Sequence, residues 1–471
     1  MRNAREAKDL GFVDHELVIP RRHLPDVRRA GDLVWFQPAL DLLDTLPHEA
    51  EPRLRTFFLP AVPLHIARAP GRLDVMGGIA DYSGARVLEL PLACATFALV
   101  QAQDAPRCEV ASRRGDRWDF YATDLPLPAA AEQADRWATY VVGVVQALVP
   151  TEATSGLRIL IHSSVPEGRG VASSAALEVA VATAVAASLH QRIDPAELAV
   201  LCQRVENHIV GAPCGIMDQM TSACGRMDRL LQLRCQPGTI EGYVEVPAGY
   251  RFYGIDSGIS HAVSGADYGT VRTAAFMGLR ILITETPWRG RYLADLTPAE
   301  FSQFARSLPE DMKGAEFLER YGGISDTATV VHPDRRYPVR RASEHPVGEQ
   351  ARVDRFVRLL PTLAHHPDAA NELGQLMYAS HQSYSACGLG STGTDAILEL
   401  ARAAGPERGV FGAKITGGGS GGTVAVFATS EAENVVRDVA ARYSAERGRE
   451  AQVFAESGPG AAETGVLELR T

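Results

Sequence analysis

Gly168-Arg-Gly-Val-Ala-Ser-Ser-Ala-Ala-Leu-Glu178 is the stretch on which the reading of this chain turns. A glycine-rich turn runs into two serines and then into an alanine-rich amphipathic helix expected over 174–189. That order suits phosphate. Glycines let the backbone approach closely, serine hydroxyls can reach a metal, and a helix N-terminus presents unpaired N–H groups with partial positive charge. The segment is not a Walker A loop, because no Gly-Lys dipeptide occurs in the sequence. Alone, the same pattern also describes an ordinary turn and helix start, so its neighbours must decide.

Outward from it, Leu157–His162 alternates like a strand and feeds the loop. Asp194-Pro-Ala-Glu197 opens a second helix with an N-cap aspartate, proline at the first helical position and glutamate at N3. That helix is expected to stop at Gly211, with Pro213 just beyond. His65–Ala69 reads as a strand that breaks at Pro70-Gly71 and projects Arg72 from a tight turn. Arg251–Ile255 is another strand, residues 284–350 are irregular and polar, and helices are expected at 350–364, 369–382 and 394–404. The chain closes with strands Phe411–Ile415 and Thr423–Phe427 around Gly417-Gly-Gly-Ser-Gly-Gly422. Strands and helices mixed without regular βαβ alternation point to an α+β architecture of two lobes. Residues 1–60, charged and dotted with proline, read as an N-terminal extension or linker that packs only partly, followed by lobes at 61–250 and 251–471.

The 471 residues are enough for two or three domains with sizeable cores, and 46% hydrophobic with 22% charged residues describes a soluble globular chain. A net charge of −10 argues against nucleic acid or an anionic membrane as partner. Met1–Lys8 has no apolar core of the signal-peptide kind. The longest apolar runs, 87–100 and 176–189, carry Glu89 and Glu178 and are too short to span a bilayer. Seven scattered cysteines without a Cys-x-x-Cys pair suggest reduced thiols and a cytoplasmic location.

Three further segments carry chemistry. Ala69-Pro-Gly-Arg-Leu-Asp-Val-Met-Gly-Gly-Ile-Ala-Asp-Tyr-Ser-Gly84 offers Arg72, Asp81 and Tyr82. In Glu206-Asn-His-Ile-Val-Gly-Ala-Pro-Cys-Gly-Ile-Met-Asp218, Glu206 sits in the last turn of a helix, where the dipole disfavours a carboxylate and a compensating cation is implied. Asp218 stands among Ile216, Met217 and Met220, and a carboxylate in such company is either paired or functional. The glycine loop 417–422 completes the set.

Together these segments resemble the GHMP small-molecule kinases, in the galactokinase branch, in the right order over roughly 63–427. Pro70-Gly71-Arg72 with Asp81-Tyr82-Ser83-Gly84 is similar to the sugar-kinase signature, Gly168–Glu178 to the family phosphate loop, and Thr416–Gly422 to its third motif with Gly417, Gly418 and Gly419. Ala212-Pro-Cys-Gly-Ile-Met-Asp-Gln219 is close to the segment carrying the base. The resemblance implies a two-lobed fold, a ribosomal S5 domain 2-like N-lobe and a ferredoxin-like C-lobe, with the active site between them. It implies ATP and Mg²⁺ as cofactors. Asp218 would face the anomeric hydroxyl, with Arg72 beside it to oppose its charge and that of the transition state. Ser174, with Ser173, and Glu206 would hold Mg²⁺, a hard cation wanting oxygen ligands. The backbone from Gly168 through Gly170 to Ser174 would cradle the phosphates. Trp137 and Tyr140 match aromatics of the adenine pocket, with core packing as the alternative, and Asp81, Gly215 and Tyr268 match sugar contacts. Lys414, one of three lysines in the chain, is expected as an exposed strand residue, with a phosphate contact as the alternative.

The departure from that branch is informative. Galactokinases generally read Gly-Glu-His-Thr-Asp-Tyr where this chain reads Gly77-Gly78-Ile79-Ala80-Asp81-Tyr82. A carboxylate and an imidazole facing the sugar's exocyclic end have become Gly78 and Ile79. L-Arabinopyranose shares the ring stereochemistry of D-galactopyranose and lacks its CH₂OH. Galactose would bury an unpaired hydroxyl there at a cost of about 1–3 kcal/mol, roughly 10- to 200-fold in discrimination. The same motif, with Gly254–His261 and Ser383–Gly390, resembles L-arabinokinases of the plant type. The expected activity is therefore transfer of phosphate from ATP to the anomeric hydroxyl of L-arabinose. A galactokinase or related hexose 1-kinase is the first alternative, and a catalytically silent ATP- and sugar-binding sensor the second.

Overall fold

The strand Leu64–Met76 and the 18-residue strand Arg86–Gln103 pair antiparallel from His65↔Val100 to Met76↔Leu88 and form the spine of the molecule. The computed structural model describes residues 12–13, 16–20, 33–125, 136–150, 154–260 and 266–470. Met1–Lys8 lies outside these residues. Ten described strands form one sheet. Thr96–Gln103 continues it through Gly156–Ser163, and Arg86–Glu89 turns away to pair with Arg229–Arg234.

Side chains alternate along these strands because successive Cβ atoms point to opposite faces. Ala98, Val100, Leu157, Ile159 and Ile161 face one apolar cluster, built with helices Arg136–Leu148, Ser173–Ser188, Pro195–Val205 and Met217–Cys224. Ile66, Phe97, Leu99 and Leu160 face a second, built with Leu33, Phe36, Leu40, Leu42 and Leu54. Burial on both faces explains why 87–100 reads as a continuous apolar run. Of residues 1–60, expected to pack only partly, the described part from 33 onward belongs to that second cluster. Residues 33–57 pack against one face of the central strands of the sheet, and Glu16–Pro20 joins it parallel to the C-terminal strand Val466–Arg470.

A four-stranded sheet in the order Val410–Ile415, Thr423–Thr429, Tyr250–Asp256, Val453–Phe454 lies beyond the spine. Helices Val339–Leu359, Ala369–Ala386, Thr392–Ala404 and Glu433–Arg447 pack around it. Helix Ala266–Glu285 packs on Val339–Leu359 in a separate apolar cluster.

Three local expectations change. The first strand does not end at Pro70-Gly71. It runs on to Met76, with register shifts between Pro70 and Arg72 and between Asp74 and Met76, and such irregularities admit proline and re-aim side chains. The helix after the glycine loop is buried nearly all round rather than amphipathic. Within 284–350, helices Pro298–Phe304 and Gly314–Tyr321 and the start of Val339–Leu359 replace the expected irregular stretch.

Candidate active site

The shifted register of the first strand brings Arg72 to the centre of four segments. Its Nε donates to Oδ1 of Asp218 at 2.9 Å, its Nη2 lies 2.8 Å from the same oxygen in an ion pair, and its Nη1 donates to the Gly170 carbonyl at 2.6 Å. Its backbone N–H holds the Val171 carbonyl, and Thr423 Oγ1 holds that of Arg169. Three successive loop carbonyls are therefore turned toward protein. A Cβ on Gly71 would lie 2.8 Å from Val171 O, so glycine there permits the close approach. Glu89, fully buried, lies 3.4 Å from Arg72 Nε and its oxygens make no hydrogen bond. Burial works against the Arg72 charge, but Asp218, Glu89 and Asp74 outweigh it and raise its pKa.

The glycine loop enters its helix through Ala172, in the left-handed region at φ 62°, and no side chain caps the helix. Among the described residues, its first N–H groups have no side-chain partner. Gly168 and Gly170 have φ of 68° and 72°, which glycine supplies without strain. Ser173 and Ser174 are half-buried on the first turn. The Ser174 side chain hydrogen-bonds the buried Glu206 carboxyl, which also takes a bond from Gln219 Nε2 at 2.6 Å. Glu206 opens a π-turn, Glu206–Val210, that prolongs helix Pro195–Val205 until Gly211 ends it at φ 74°. Burial, aided by the field of Asp218, pushes its pKa up to about 7 against the hydrogen bonds from Ser174, Cys214 and Gln219. Glu178 shares Gln219 Nε2 and has an Oε1 with no partner. A hydroxyl beside a buried, desolvated carboxylate fits a hard divalent cation that takes its remaining ligands from phosphate and water.

Asp81, whose carboxyl feels the charge of Asp218, stands in the 3₁₀ turn Gly78–Ser83. A Cβ on Gly215 would fall 1.4 Å from Asp81 Oδ2, so a glycine at 215 is what admits the carboxylate. The backbone at Cys214 is clamped. Its N–H bonds Asn207 Oδ1 at 2.7 Å, and its carbonyl takes Arg272 Nη1 at 2.9 Å. Arg272 is itself held bidentate by Asp326 at 2.8 Å. Burial pushes Asp81 up to about 7, with Arg272 pulling it back and Asp218 adding to the rise. Tyr268 lies edge-on to Tyr82 at 5.8 Å and 3.6 Å from where a Cβ on Gly418 would stand. Gly417, at φ 68°, faces Gly170 O and the Arg72 guanidinium, and Gly419 at φ 80° backs onto Leu389.

Not every anticipated residue faces this centre. Ile79 is 1% exposed and packs among Tyr82, Val271, Leu293 and Tyr384, behind the turn. Gly78 faces the Tyr384 hydroxyl. Trp137 and Tyr140 lie one turn apart on helix Arg136–Leu148, both half-buried, with Trp137 packed on the apolar cluster of that lobe. Lys414 is neither exposed nor free for phosphate. It is fully buried, with Nζ 2.7 Å from Asp74 Oδ2. Glu89, Asp74, Arg272 and Tyr384 were invisible as site residues because each acts through long-range contacts. The signal nearest to one was a glutamate, Glu89, inside an otherwise apolar run.

Two family models match the chain, GHMP kinases N terminal domain over residues 139–226 and GHMP kinases C terminal over 365–445. An L-arabinokinase of Arabidopsis thaliana is 37% identical over 94% of this chain and 51% of its own length, so the chain spans about half of that relative. A galactokinase of Chloroflexus aggregans is 30% identical over 83% of this chain and 90% of its own. Among solved structures, the galactokinase of Lactococcus lactis complexed with galactose aligns at a TM-score of 0.70 with 22% identity, covering 84% of this chain and 94% of that one. Among the described residues, no helix is long and apolar enough to cross a membrane.

Proposed function

This chain belongs to the GHMP kinases, in the galactokinase branch, and from that premise we propose that it phosphorylates the anomeric hydroxyl of L-arabinose with ATP, giving L-arabinose 1-phosphate and ADP. The observation that carries the reading is the juxtaposition of three things around Arg72. These are the base candidate Asp218, the turn bearing Asp81, and the uncapped helix beneath the glycine loop.

Phosphoryl transfer asks a protein mainly for positioning and charge. Asp218 presents Oδ2 to the anomeric hydroxyl and takes its proton as the bond from O1 to the γ-phosphorus forms and the bond to ADP breaks. Arg72 opposes negative charge on the transferring group and holds Asp218 by its other oxygen. The backbone from Gly168 to Ser174 receives the phosphates, and Gly417–Gly419 closes the opposite side. Ser173, Ser174 and Glu206 are the side chains that would hold Mg²⁺, which supplies charge neutralisation on the phosphates. Asp81, the Gly215 backbone and Tyr268 orient the sugar ring. Trp137 and Tyr140 flank the adenine end.

The sugar preference is read from the departure at Gly78–Ile79 in the turn that carries Asp81. With Gly78 bare and Ile79 turned into an apolar cluster, these two positions supply no polar side chain to an exocyclic hydroxyl. The galactokinase relative that matches nearly along its own length favours D-galactose as the second reading. ADP release with ATP and Mg²⁺ across L-arabinose, D-galactose, D-fucose and L-fucose, with phosphorus NMR of the product, separates them. L-Arabinose turned over fastest to an anomeric phosphate supports the proposal. Equal or faster turnover of galactose overturns the substrate, and no turnover of any sugar points to a binding protein without catalysis.

A further inference from the structure

Three consecutive backbone N–H groups lead into the turn that carries Asp81, and each is held by a different buried side chain. Gly77 N–H donates to Glu349 Oε1 at 3.1 Å, Gly78 N–H to Asp74 Oδ1 at 3.1 Å, and Ile79 N–H to Tyr384 Oη at 2.8 Å. Tyr384 comes from helix Ala369–Ala386, far along the chain, and is fully buried with His345 edge-on at 5.2 Å. Its hydroxyl also lies 3.1 Å from the Gly417 carbonyl and 3.3 Å from Asp74 Oδ2. One phenol thus joins the sugar-side turn to the glycine loop beside Arg72. It also fills space. A Cβ on Gly78 would stand 1.5 Å from Tyr384 Oη and 2.7 Å from its Cζ, with Asp74 Oδ2 at 2.6 Å as a second obstruction that does not depend on the phenol.

We propose that Tyr384 is the specificity-determining positioning residue of the sugar site, because its phenol occupies the volume a side chain at residue 78 would need and pins the backbone of Gly78–Ile79. The inference rests on the sugar 1-kinase reading above. Tyr384 keeps position 78 free of a polar side chain and therefore selects a sugar with no exocyclic hydroxyl at that end. A side chain at residue 78 therefore requires removal of the phenol. The φ of +43° at Gly78 adds a modest backbone cost to any substitution and does not depend on Tyr384.

The test compares wild type with Tyr384→Phe, Gly78→Glu, Tyr384→Ala and Gly78→Glu/Tyr384→Ala, by melting temperature and by kcat/KM for L-arabinose and D-galactose. Tyr384→Phe keeps the ring and loses the hydroxyl's contacts with Ile79, Gly417 and Asp74, so sugar KM rises by a larger factor than ATP KM. Gly78→Glu alone melts lower than the double variant, because only there do carboxylate and phenol collide. In the double variant the ratio of kcat/KM for the two sugars shifts toward galactose by about 10-fold or more, the scale of one gained polar partner. A double variant that melts no higher than Gly78→Glu overturns the steric pairing. A folded double variant with the wild-type sugar ratio overturns the role in selection. Wild type preferring galactose refutes the L-arabinose reading separately, since the role of Tyr384 is read from the change between variants.

Discussion

Nε of Arg72 donates to Oδ1 of Asp218 and Nη2 pairs with that same oxygen at 2.8 Å, while among the described residues nothing hydrogen-bonds Oδ2. One oxygen anchors the carboxylate and the other stays available to a substrate proton. The Asp218 side chain is 21% exposed, whereas Arg72 is buried against a fully buried Glu89. The two residues should therefore fail differently. Asp218→Asn keeps the anchoring acceptor and is expected to lower kcat by about 10²–10⁴-fold with the melting temperature nearly unchanged. Arg72→Met removes turnover and also leaves buried carboxylates without their cation, at a cost of about 3–5 kcal/mol in stability. ADP release and chemical denaturation on both variants check this. An Asp218→Asn enzyme with wild-type turnover removes Asp218 from the reaction.

Gly215 yields the second prediction. Asn207 and Arg272 hold the Cys214 peptide from both sides, so the segment cannot retreat from Asp81. In Gly215→Ala the added methyl falls on the Asp81 carboxylate, and Asp81 must swing away from the sugar. Loss of one good polar contact to the sugar raises sugar KM by about 10- to 200-fold. ATP KM should stay close to wild type, because the glycine loop is held from Arg72 and Thr423 instead. A rise in ATP KM equal to that for sugar would refute the assignment.

Local grammar was legible and long-range pairing was not. Asp194-Pro-Ala-Glu197 reads as a helix start, and Asp194 does accept from the N–H groups of Ala196 and Glu197. Thr297-Pro-Ala-Glu300 has the same form and builds a full capping box, yet the polar composition around it masked it. Pro70 argued for a strand end, since proline cannot donate to a ladder, but a register shift accommodates it. That shift is what delivers Arg72 to the glycine loop, and no local pattern announces it. Lys414 looked like a surface strand residue because its partner, Asp74, is 340 positions away in sequence. The family resemblance named Arg72, Asp81, Gly215 and Asp218 together, and the fold makes neighbours of Arg72 and Asp218 and of Asp81 and Gly215. The clamps that hold them, Arg272–Asp326 and Tyr384, came from tertiary contacts alone.

Asp81 predicts a pH dependence. Its folded pKa is raised to about 7 by burial and by Asp218, against the pull of Arg272. An acid raised in the folded state binds more protons folded than unfolded between its ordinary value and about 7. It therefore contributes stability that is fully present below about 4 and lost as pH rises through about 7. A sugar whose hydroxyls donate to Asp81 needs the carboxylate, so sugar KM should climb as pH falls below about 7. Asp81→Asn should flatten that profile and raise sugar KM at all pH. Glu206, also near 7, would affect Mg·ATP instead, so the profile is taken in sugar at saturating nucleotide. A wild-type sugar KM that stays flat from pH 8 to 6 would contradict a direct bond between Asp81 and the substrate.

Lys414 and Asp74 form an ion pair with both side chains wholly buried, Nζ to Oδ2 at 2.7 Å, and the Lys414 ammonium lies 5.3 Å from the Tyr384 ring. Such a pair adds little over apolar packing, but breaking it leaves an uncompensated charge. Lys414→Met should thus cost about 3–5 kcal/mol, because Asp74 remains buried while still accepting the Gly78 N–H. Lys414→Met/Asp74→Asn should recover most of that loss, since the amide oxygen can keep the bond to Gly78 and no charge remains. Below its melting transition, Lys414→Met should show ATP KM near wild type. A phosphate-binding lysine predicts the reverse, a raised ATP KM with stability intact and no recovery in the double variant. Denaturation of the three variants beside ATP titrations distinguishes a lysine that holds the first strand in register from one that holds nucleotide.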